Sequence, residues 1–241
     1  KPIVNATIYF SINGVNYAKT TDANGTASIG LNLDSNTYQA TITYNGSANY
    51  SKISKNITVI INSSIIADDL VKMYKNATDF RAKFLGSDGK VLVNTQVKFN
   101  INGVFYTRST DKYGVASLAI NLRPGDYILT AYNPVNGEQQ GFNITIKSLI
   151  IQNDLTKYYM NTSKFQATIY DKNGSLAVNK NVTFNINGVF YTRTTDSNGL
   201  VSLNINLRPG EYIVTTIYDG LDIGNNIVVL PTLVTHDLNM A

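Results

Sequence analysis

The chain contains no cysteine and no tryptophan among its 241 residues. The absence of cysteine excludes disulfide frameworks, thiolate metal sites and cysteine nucleophiles. Packing of apolar side chains must therefore supply the stability of the fold. Hydrophobic residues make up 43% of the chain and charged residues only 15%, a composition typical of folded protein and not of a charged disordered segment.

Titratable groups that could perform chemistry are scarce. The sequence has one histidine, His236, and two glutamates, Glu138 and Glu211. A single histidine allows at most one Ser-His-Asp triad in the chain. The two glutamates are not spaced as a pair of catalytic carboxylates. Turns of the type Asp-x-Asn-Gly at 22–25, 171–174 and 196–199 offer one carboxylate each, whereas calcium requires several. We expect no enzymatic activity, no catalytic residue, no metal site and no cofactor.

Neither a basic stripe nor a long apolar run is present. The formal net charge is +4, but the 20 lysines and arginines are scattered, so nucleic acid is not an expected partner. The mild positive excess is compatible with an anionic cell-wall polymer or glycan. No apolar stretch reaches the roughly 20 residues needed to span a bilayer, and no signal peptide opens the chain. We expect no membrane contact within this segment, which has the appearance of an excerpt from a longer protein.

What the sequence does contain is a repeat of domain size. The segment NINGVFYTR occurs at 100–108 and again at 185–193, and SINGVNYAK at 11–19 is a looser copy. A module of about 85 residues is too long for a solenoid unit and large enough to hold its own core. The period predicts an incomplete module at 1–63, complete modules at 64–147 and 148–230, and the opening strand of a fourth module at 231–241.

Within each module, alternating apolar residues predict β-strands joined by tight turns. Asn102-Gly103 lies between two alternating runs, and Asn-Gly favours a type I′ hairpin because both residues need positive φ. This turn would pair Phe99 with Tyr106 on the core face and direct Phe105 outward. Phe190 occupies the same position in the third module, so Phe105 and Phe190 are candidate contact residues for sugars or for a neighbouring module. Further hairpins are predicted at Asn45-Gly46, Asn136-Gly137 and Asp219-Gly220.

The number and spacing of these strands indicate the fold class. About seven short strands fit in each period, which is typical of an all-β, immunoglobulin-like β-sandwich. Tyr38, Tyr127 and Tyr212 follow matching turns and are expected to be half-buried anchors of the corner. By alignment with its neighbours, the first module lacks its first two strands.

The last residues match the opening of a module. Ile65 to Leu70 and Ile150 to Leu155 share a pattern with the tail, which forms a candidate assembly strand made of Leu233, Val234, Thr235, His236, Asp237 and Leu238. Three explanations stay open: an excerpt of a longer chain, a proteolytic fragment, or subunits in which the tail of one molecule completes a neighbour by strand addition.

Asparagine-linked glycosylation sequons are dense. Their eleven acceptor residues are Asn5, Asn24, Asn45, Asn49, Asn56, Asn62, Asn76, Asn143, Asn161, Asn173 and Asn181. A chain rich in Asn, Ser and Thr generates some of these triplets by chance. The alternative, which we favour, is a glycosylated extracellular protein.

The pattern VxFxINGxxYxxxTDxxGxAxxxINLxPGxYxxT, present at 97–130 and, with Val in place of Ala, at 182–215, resembles the tandem immunoglobulin-like repeats of methanogen (archaeal) adhesin-like surface proteins. It is more distantly similar to bacterial invasin and intimin modules. The resemblance implies a cell-surface stalk or adhesin, often glycosylated, whose partners are further repeats of the same chain or a wall polymer. It brings no catalytic residues.

Three functional hypotheses follow. The first is a non-enzymatic extracellular repeat array that acts as an adhesin, stalk or spacer. The second is a subunit of a self-assembling filament or sheath joined by β-strand complementation through the incomplete terminal modules. The third is a carbohydrate-binding module of a larger wall enzyme.

Overall fold

A computed structural model describes residues 1–233, and its regular elements there are all β-strands. We keep the names module 1, module 2 and module 3 for residues 1–63, 64–147 and 148–230. The predicted assembly strand lies outside the described residues from Val234 to Leu238, and its first residue, Leu233, is 78% exposed.

Module 1 forms one antiparallel sheet with the strand order β2-β1-β3-β4. Its strands are β1 (Thr7–Ile12), β2 (Val15–Thr20), β3 (Asn36–Tyr44) and β4 (Ile53–Ile61). Side chains at core positions, such as Phe10 and Ile42, are only half-buried.

Module 2 forms two sheets that enclose a core. Its strands are β5 (Ile65–Ile66), β6 (Leu70–Met73), β7 (Phe80–Phe84), β8 (Gln96–Ile101), β9 (Val104–Ser109), β10 (Val115–Leu118), β11 (Gly125–Tyr132) and β12 (Gln139–Lys147). One sheet has the order β10-β7-β5 and the other β6-β12-β11-β8-β9. Strand β6 pairs in parallel with β12, and the other pairs are antiparallel.

Module 3 repeats this topology with the sheets β13-β15-β18 and β14-β20-β19-β16-β17. Its strands are β13 (Ile150–Gln152), β14 (Leu155–Tyr158), β15 (Lys164–Ile169), β16 (Asn181–Ile186), β17 (Val189–Thr194), β18 (Leu200–Asn204), β19 (Gly210–Tyr218) and β20 (Leu221–Leu230). The all-β, immunoglobulin-like sandwich predicted from the sequence is confirmed.

The strand count differs from the prediction. Modules 2 and 3 have eight strands each and not about seven, because the opening pattern forms two short strands. Around Ala67 and Asp68 the chain leaves one sheet and enters the other, so β5 and β6 belong to different sheets. Relative to module 2, module 1 therefore lacks three opening strands and not two, and residues 26–29, which correspond to β10, form no strand.

The repeated Asn-Gly hairpin has the predicted geometry. Asn102 and Gly103 both adopt positive φ (53° and 78°), and Phe99 pairs with Tyr106. Because side chains alternate across a strand, Val97, Phe99 and Ile101 point into the core, where none is more than 2% exposed.

All three further hairpins predicted from Asn-Gly or Asp-Gly form, since β3 pairs with β4, β11 with β12 and β19 with β20, each antiparallel, but their turns differ in length. Only Asp219-Gly220 forms a two-residue turn, with φ of 47° and 78° between the paired residues Tyr218 and Leu221. Asn45-Gly46 and Asn136-Gly137 lie in longer loops that connect β3 to β4 and β11 to β12.

In each complete module a buried threonine, placed directly after β9 or β17, forms hydrogen bonds to the loop that precedes β8 or β16. In module 2 the Thr110 hydroxyl donates to the Leu92 carbonyl and accepts the Thr95 N–H at 3.0 Å. Thr195 makes the equivalent bonds with Ala177 and Lys180 in module 3. The hydroxyl joins a loop to the edge strand, so one side chain satisfies two backbone groups.

A buried lysine closes the opposite end of each complete sandwich. The Nζ of Lys72 donates to the carbonyls of Thr78 (2.8 Å) and Ile120 (3.1 Å). Lys157 does the same with Ser163 (3.0 Å) and Ile205 (2.9 Å). Burial lowers the pKa of Lys72, and the nearby Asp79 opposes that shift. In the sequence, this lysine lies two residues after Leu70 or Leu155. Because side chains alternate along a strand, this spacing places the lysine on the same inward face as the leucine.

Candidate contact face and joints between modules

The two candidate contact residues occupy matching positions on the outer face of the five-stranded sheets. Strand register places Phe105, Asn100, Thr130 and Gly141 in one row across four strands of module 2. Module 3 has the row Phe190, Asn185, Thr215 and Gly224. We call each of these a platform row.

The phenylalanines of the platform rows are open to solvent. Phe105 is 62% exposed and Phe190 is 63% exposed. The ring of Phe105 also packs against Tyr132 with a centroid distance of 5.8 Å. An exposed ring flanked by an amide and a hydroxyl, without a charge in the row, is suited to stacking on the face of a neutral sugar. That role for Phe105 and Phe190 stays a prediction.

The free edge beside each platform row is partly capped. Arg108 donates from Nη1 to the Thr107 carbonyl at 2.8 Å and lies over the Tyr106 ring. Arg193 makes the same bond to Thr192 at 2.8 Å in module 3. A charged side chain that occupies an edge carbonyl hinders the addition of another strand.

Module 1 replaces the platform row by polar residues. Its row consists of Asn16, Ser11, Thr41 and Asn56, and Thr41 donates to the Asn56 Oδ1 at 2.9 Å. Any contact made through the exposed phenylalanines therefore belongs to modules 2 and 3.

The modules meet at their ends. We call the end that carries the β11–β12 loop of module 2, or the β19–β20 turn of module 3, the N-terminal pole. The opposite end, which carries the β6–β7 turn and the β10–β11 loop of module 2 or their equivalents, is the C-terminal pole.

The links between modules are short: two residues separate β12 from β13, and three separate β4 from β5. In both links a serine hydroxyl, Ser63 or Ser148, accepts the N–H of the residue two positions on and donates to its carbonyl.

The joint between modules 2 and 3 has an apolar centre. Tyr74 of module 2 packs against the cores of both modules, where it meets the cluster that includes Tyr218 and Ile223. Leu149, in the link, is fully buried at 0% exposure. Burial raises the pKa of the Tyr218 hydroxyl, and the charges of Asp219 and Asp171 add to this effect.

Polar contacts surround that apolar centre. Lys75 pairs with Asp219 and Arg123 pairs with Asp222, each at 2.8 Å. The amide of Asn76 donates to the Lys172 carbonyl at 2.8 Å. Both ion pairs are solvent-exposed and so contribute little stability, but they define how the two poles face each other.

The joint between modules 1 and 2 is polar. Glu138 of module 2 accepts a hydrogen bond from the Ser35 hydroxyl of module 1 at 2.9 Å, and from the Ser64 N–H at 2.7 Å and hydroxyl. Asn133, which is 1% exposed, donates to the Ser64 hydroxyl at 2.8 Å. This cluster is not recognisable in the sequence, because its members are separated by up to 103 positions.

The charge of Glu138 makes this joint sensitive to acid. Partial burial raises its pKa, but hydrogen bonds from Ser64, Ser63 and Ser35 outweigh burial and hold the pKa below its ordinary value. A carboxyl group with a lowered pKa in the folded state stabilises that state above its unfolded pKa, and loses the effect as the pH falls through the folded pKa.

We therefore expect the contact between modules 1 and 2 to be intact at neutral pH and to loosen only below the ordinary pKa of glutamate. Amide hydrogen exchange of Ser64 and of the β11–β12 loop, followed from pH 7 down to the acid range, measures this. Glu138→Gln should already show the faster exchange at neutral pH. Protection that does not change with pH in both proteins would contradict the expectation.

Of the eleven sequon asparagines, ten are exposed and Asn76 is half-buried. Asn76 also donates its amide across the joint to Lys172, so a glycan on that nitrogen would lie within the joint. Asn143 donates its amide to Asp69 at 2.8 Å on the surface. Whether any of these residues carries a glycan stays a prediction.

The Asp-Gly turns use their carboxylates internally. Oδ1 of Asp22, of Asp171 and of Asp196 each accepts two backbone N–H groups of its own turn. Within residues 1–233 no group of three or more His, Cys, Asp or Glu side chains is placed to hold a metal ion. The described residues also form no helix that could cross a membrane.

No family model and no curated protein matches the chain. Solved structures with a related fold include invasin, a bacterial integrin-binding protein (15% identity, 96% of this chain and 54% of that chain, TM-score 0.26). They also include a Ca2+-stabilized adhesin with which an Antarctic bacterium binds ice (19% identity, 95% of this chain and 66% of that chain, TM-score 0.23). The fibronectin(III)-like modules of Clostridium thermocellum CbhA are a third example (14% identity, 73% of this chain and 100% of that chain, TM-score 0.25). The chain thus spans about half of invasin and less than two thirds of the ice-binding adhesin. These likenesses concern the immunoglobulin-like β-sandwich fold, which the strand pairing already establishes.

Proposed function

We propose that the chain is part of a non-enzymatic extracellular repeat array that acts as a cell-surface adhesin or as its stalk. The observation that carries the proposal is the position of the two joints of module 2. They lie at opposite ends of β11, a strand of eight residues, so the modules are connected end to end and each adds about 26 Å or more of length. Short links and direct contacts restrict bending at each joint.

The platform rows suggest how such an array binds. Two identical exposed rows, one per module, offer a bivalent surface whose weak contacts add up when both rows are engaged. We propose a neutral glycan or wall polymer as the partner class, because the rows combine an aromatic ring with hydrogen-bonding groups and no charge. Dense surface sequons support an extracellular location, and the archaeal origin implied by the sequence resemblance is part of the same proposal.

Two experiments test this function. Antibodies against the purified chain should label intact source cells, and labelling that requires lysis would refute the surface location. Binding to isolated wall polymers should fall sharply in Phe105→Ala/Phe190→Ala, whereas the exposed-valine control Val104→Ala/Val189→Ala should bind nearly as the parent does. Equal binding by both variants would exclude the platform rows as the contact.

The alternative is a filament subunit joined by strand complementation. The observation in its favour is the half-buried inner face of the module 1 sheet, which a strand from another molecule could cover. Mass and shape in solution distinguish the two: an elongated monomer of 26.5 kDa at all concentrations would support the stalk. End-to-end oligomers that disappear on deletion of residues 231–241 would support the filament.

A further inference from the structure

The two joints of this chain are of different kinds, and the difference lies in the N-terminal poles. Module 2 has the polar residues Ser64, Asn133, Glu138 and Gln140 at its N-terminal pole. Strand register and the link alignment match these with Leu149, Tyr218, Leu221 and Ile223 of module 3. All four matched positions are thus polar in one module and apolar or aromatic in the other.

The C-terminal poles that meet them differ in a corresponding way. Module 2 presents Tyr74 and Arg123 to the apolar pole, and Arg123 pairs with Asp222. Module 1 has Asp34 and Ser35 where module 2 has Arg123 and Pro124, and its Ser35 donates to Glu138 of the polar pole. Each C-terminal pole is therefore complementary to the N-terminal pole that it contacts.

The C-terminal pole of module 3 has the same construction as that of module 2. Tyr159, Met160, Asn161 and Arg208 stand 85 positions after Tyr74, Lys75, Asn76 and Arg123. The β-turns agree in detail: φ is 58° at Lys75 and 64° at Met160, and the Tyr74 and Tyr159 N–H groups bond to the ends of β12 and β20 at 2.9 and 2.8 Å.

The loop that holds the arginine is also the same. The Tyr127 hydroxyl donates to the Arg123 carbonyl and the Tyr212 hydroxyl donates to the Arg208 carbonyl, both at 2.9 Å. Among residues 1–233, however, no other module covers this pole of module 3: Met160 is 81% exposed and Tyr159 is 36% exposed. A surface that is covered in one repeat and built in the same way in the next is suited to the same occupant.

We infer that the C-terminal pole of module 3 is a docking surface for the N-terminal pole of another module of the module 3 type, defined by an apolar or aromatic centre at the positions of Tyr218, Leu221 and Ile223 and an aspartate at the position of Asp222. The position of Leu149 is not part of this definition, because Thr232 occupies it after module 3. In this joint Tyr159 packs against the apolar centre, Arg208 pairs with the aspartate, and the Asn161 amide donates to a backbone carbonyl of the facing turn. Met160 replaces Lys75, so one of the two ion pairs is not formed. The inference rests on the proposed array.

The same surface disfavours a pole of the module 2 type. Tyr159 would cover the Glu138 and Asn133 cluster and remove its polar groups from water without replacing their hydrogen bonds, which is costly. Gln139 stands at the position of Asp222 and gives Arg208 no charge to pair with. The poles thus determine which module can follow which.

Two four-module chains test the inference. In both, residues 1–230 are followed by a second copy of one module: residues 148–230 in the first chain and 63–147 in the second. Because the protein has no cysteine, spin labels can be placed at the exposed Thr192 of module 3 and at the matching threonine of the added module. Pulsed electron resonance then measures the distance distribution across the new joint.

We expect a narrow distribution in the first chain, centred where labels at Thr107 and Thr192 place the existing joint of modules 2 and 3, and a several-fold broader one in the second chain. Arg208→Asp combined with Tyr159→Ala should broaden the first distribution, and Met160→Lys should sharpen it. Amide exchange of the core strands of the added module verifies that it is folded.

Equally narrow distributions in the two chains would refute the selectivity of the poles, and a broad distribution in the first chain with a folded fourth module would refute the docking surface. Neither result bears on the labelling of intact cells. Failure of this inference and failure of the proposed function are therefore distinguishable.

Discussion

Replacing Phe99 with alanine should lower the free energy of unfolding of module 2 by about 3–5 kcal/mol. Phe99 is fully buried at 0% exposure, and its ring packs edge-on against Phe80 and Phe84 with centroid distances of 5.8 and 5.9 Å. Truncation leaves a cavity between the two sheets, because Phe80 and Phe84 lie at the two ends of β7 in the facing sheet and cannot both move inward. Amide hydrogen exchange of β7 and β11 measures the loss within module 2 itself, which a melting curve of a three-module chain does not isolate.

The same hairpin supplies the matched control. Phe105 lies on β9 six positions later and is 62% exposed, so Phe105→Ala removes the same atoms with little loss of burial. We expect a change in unfolding free energy within about 0.5 kcal/mol. Similar losses in the two variants would mean that the register of the β8–β9 hairpin is wrong by one residue, since such a shift exchanges the faces.

The alternating pattern predicted this part of the fold because each local signal agreed with the others. Asn102-Gly103 lies between runs whose inward positions next to the turn are apolar or aromatic, so turn geometry and burial favour one register. Asp219-Gly220 succeeds for the same reason, since Tyr218 and Leu221 flank it. Asn136-Gly137 also lies in a hairpin, but in a longer loop between β11 and β12, where the Asn133 side chain donates to Ser64 and Leu85 and holds the loop open.

Contacts between modules could not be predicted from one module's pattern. Lys75, Asn76 and Arg123 lie outside the strands, where periodicity carries no information about burial, and their partners follow 96 to 144 positions later in the chain. Glu138 was visible in the sequence as a rare residue, but without neighbours that would suggest a cluster. An alignment of modules 2 and 3 shows that four matched positions at the N-terminal poles are polar in module 2 and apolar or aromatic in module 3.

The second large effect concerns the buried threonine of each complete module, Thr110 or Thr195, and its two hydrogen bonds. The sequence Thr-Asp at 110–111 and 195–196, followed by glycine three residues later, predicts a turn in which the aspartate caps the backbone. Asp111 does accept the N–H groups of Tyr113 and Val115, which lowers its pKa. The threonine before it is more deeply placed, since Thr110 and Thr195 are each 2% exposed. A buried hydroxyl at the same position in each module indicates a structural bond and not a surface residue.

Replacing Thr110 with valine should therefore destabilise module 2 by about 2–4 kcal/mol, although the two side chains have the same shape. Valine neither accepts the Thr95 N–H nor donates to the Leu92 carbonyl, so two backbone groups that are shielded from water lose their partner. Thr110→Ser keeps the hydroxyl and should lose much less. Thr107→Val, at an exposed position of β9, the strand that ends just before Thr110, should have almost no effect.

Amide hydrogen exchange locates this effect. In Thr110→Val the N–H of Thr95 should exchange as fast as an exposed amide, and protection should fall throughout module 2 while module 3 is unchanged. Thr195→Val should produce the mirror result, in which module 3 loses protection and module 2 keeps it. If valine and serine variants lose the same stability, the loss comes from packing and the hydroxyl bonds do not hold the loop. If Thr110→Val also weakens module 3, the two modules unfold as one unit through the Tyr74 joint, and the apolar centre of that joint is stronger than its exposed ion pairs suggest.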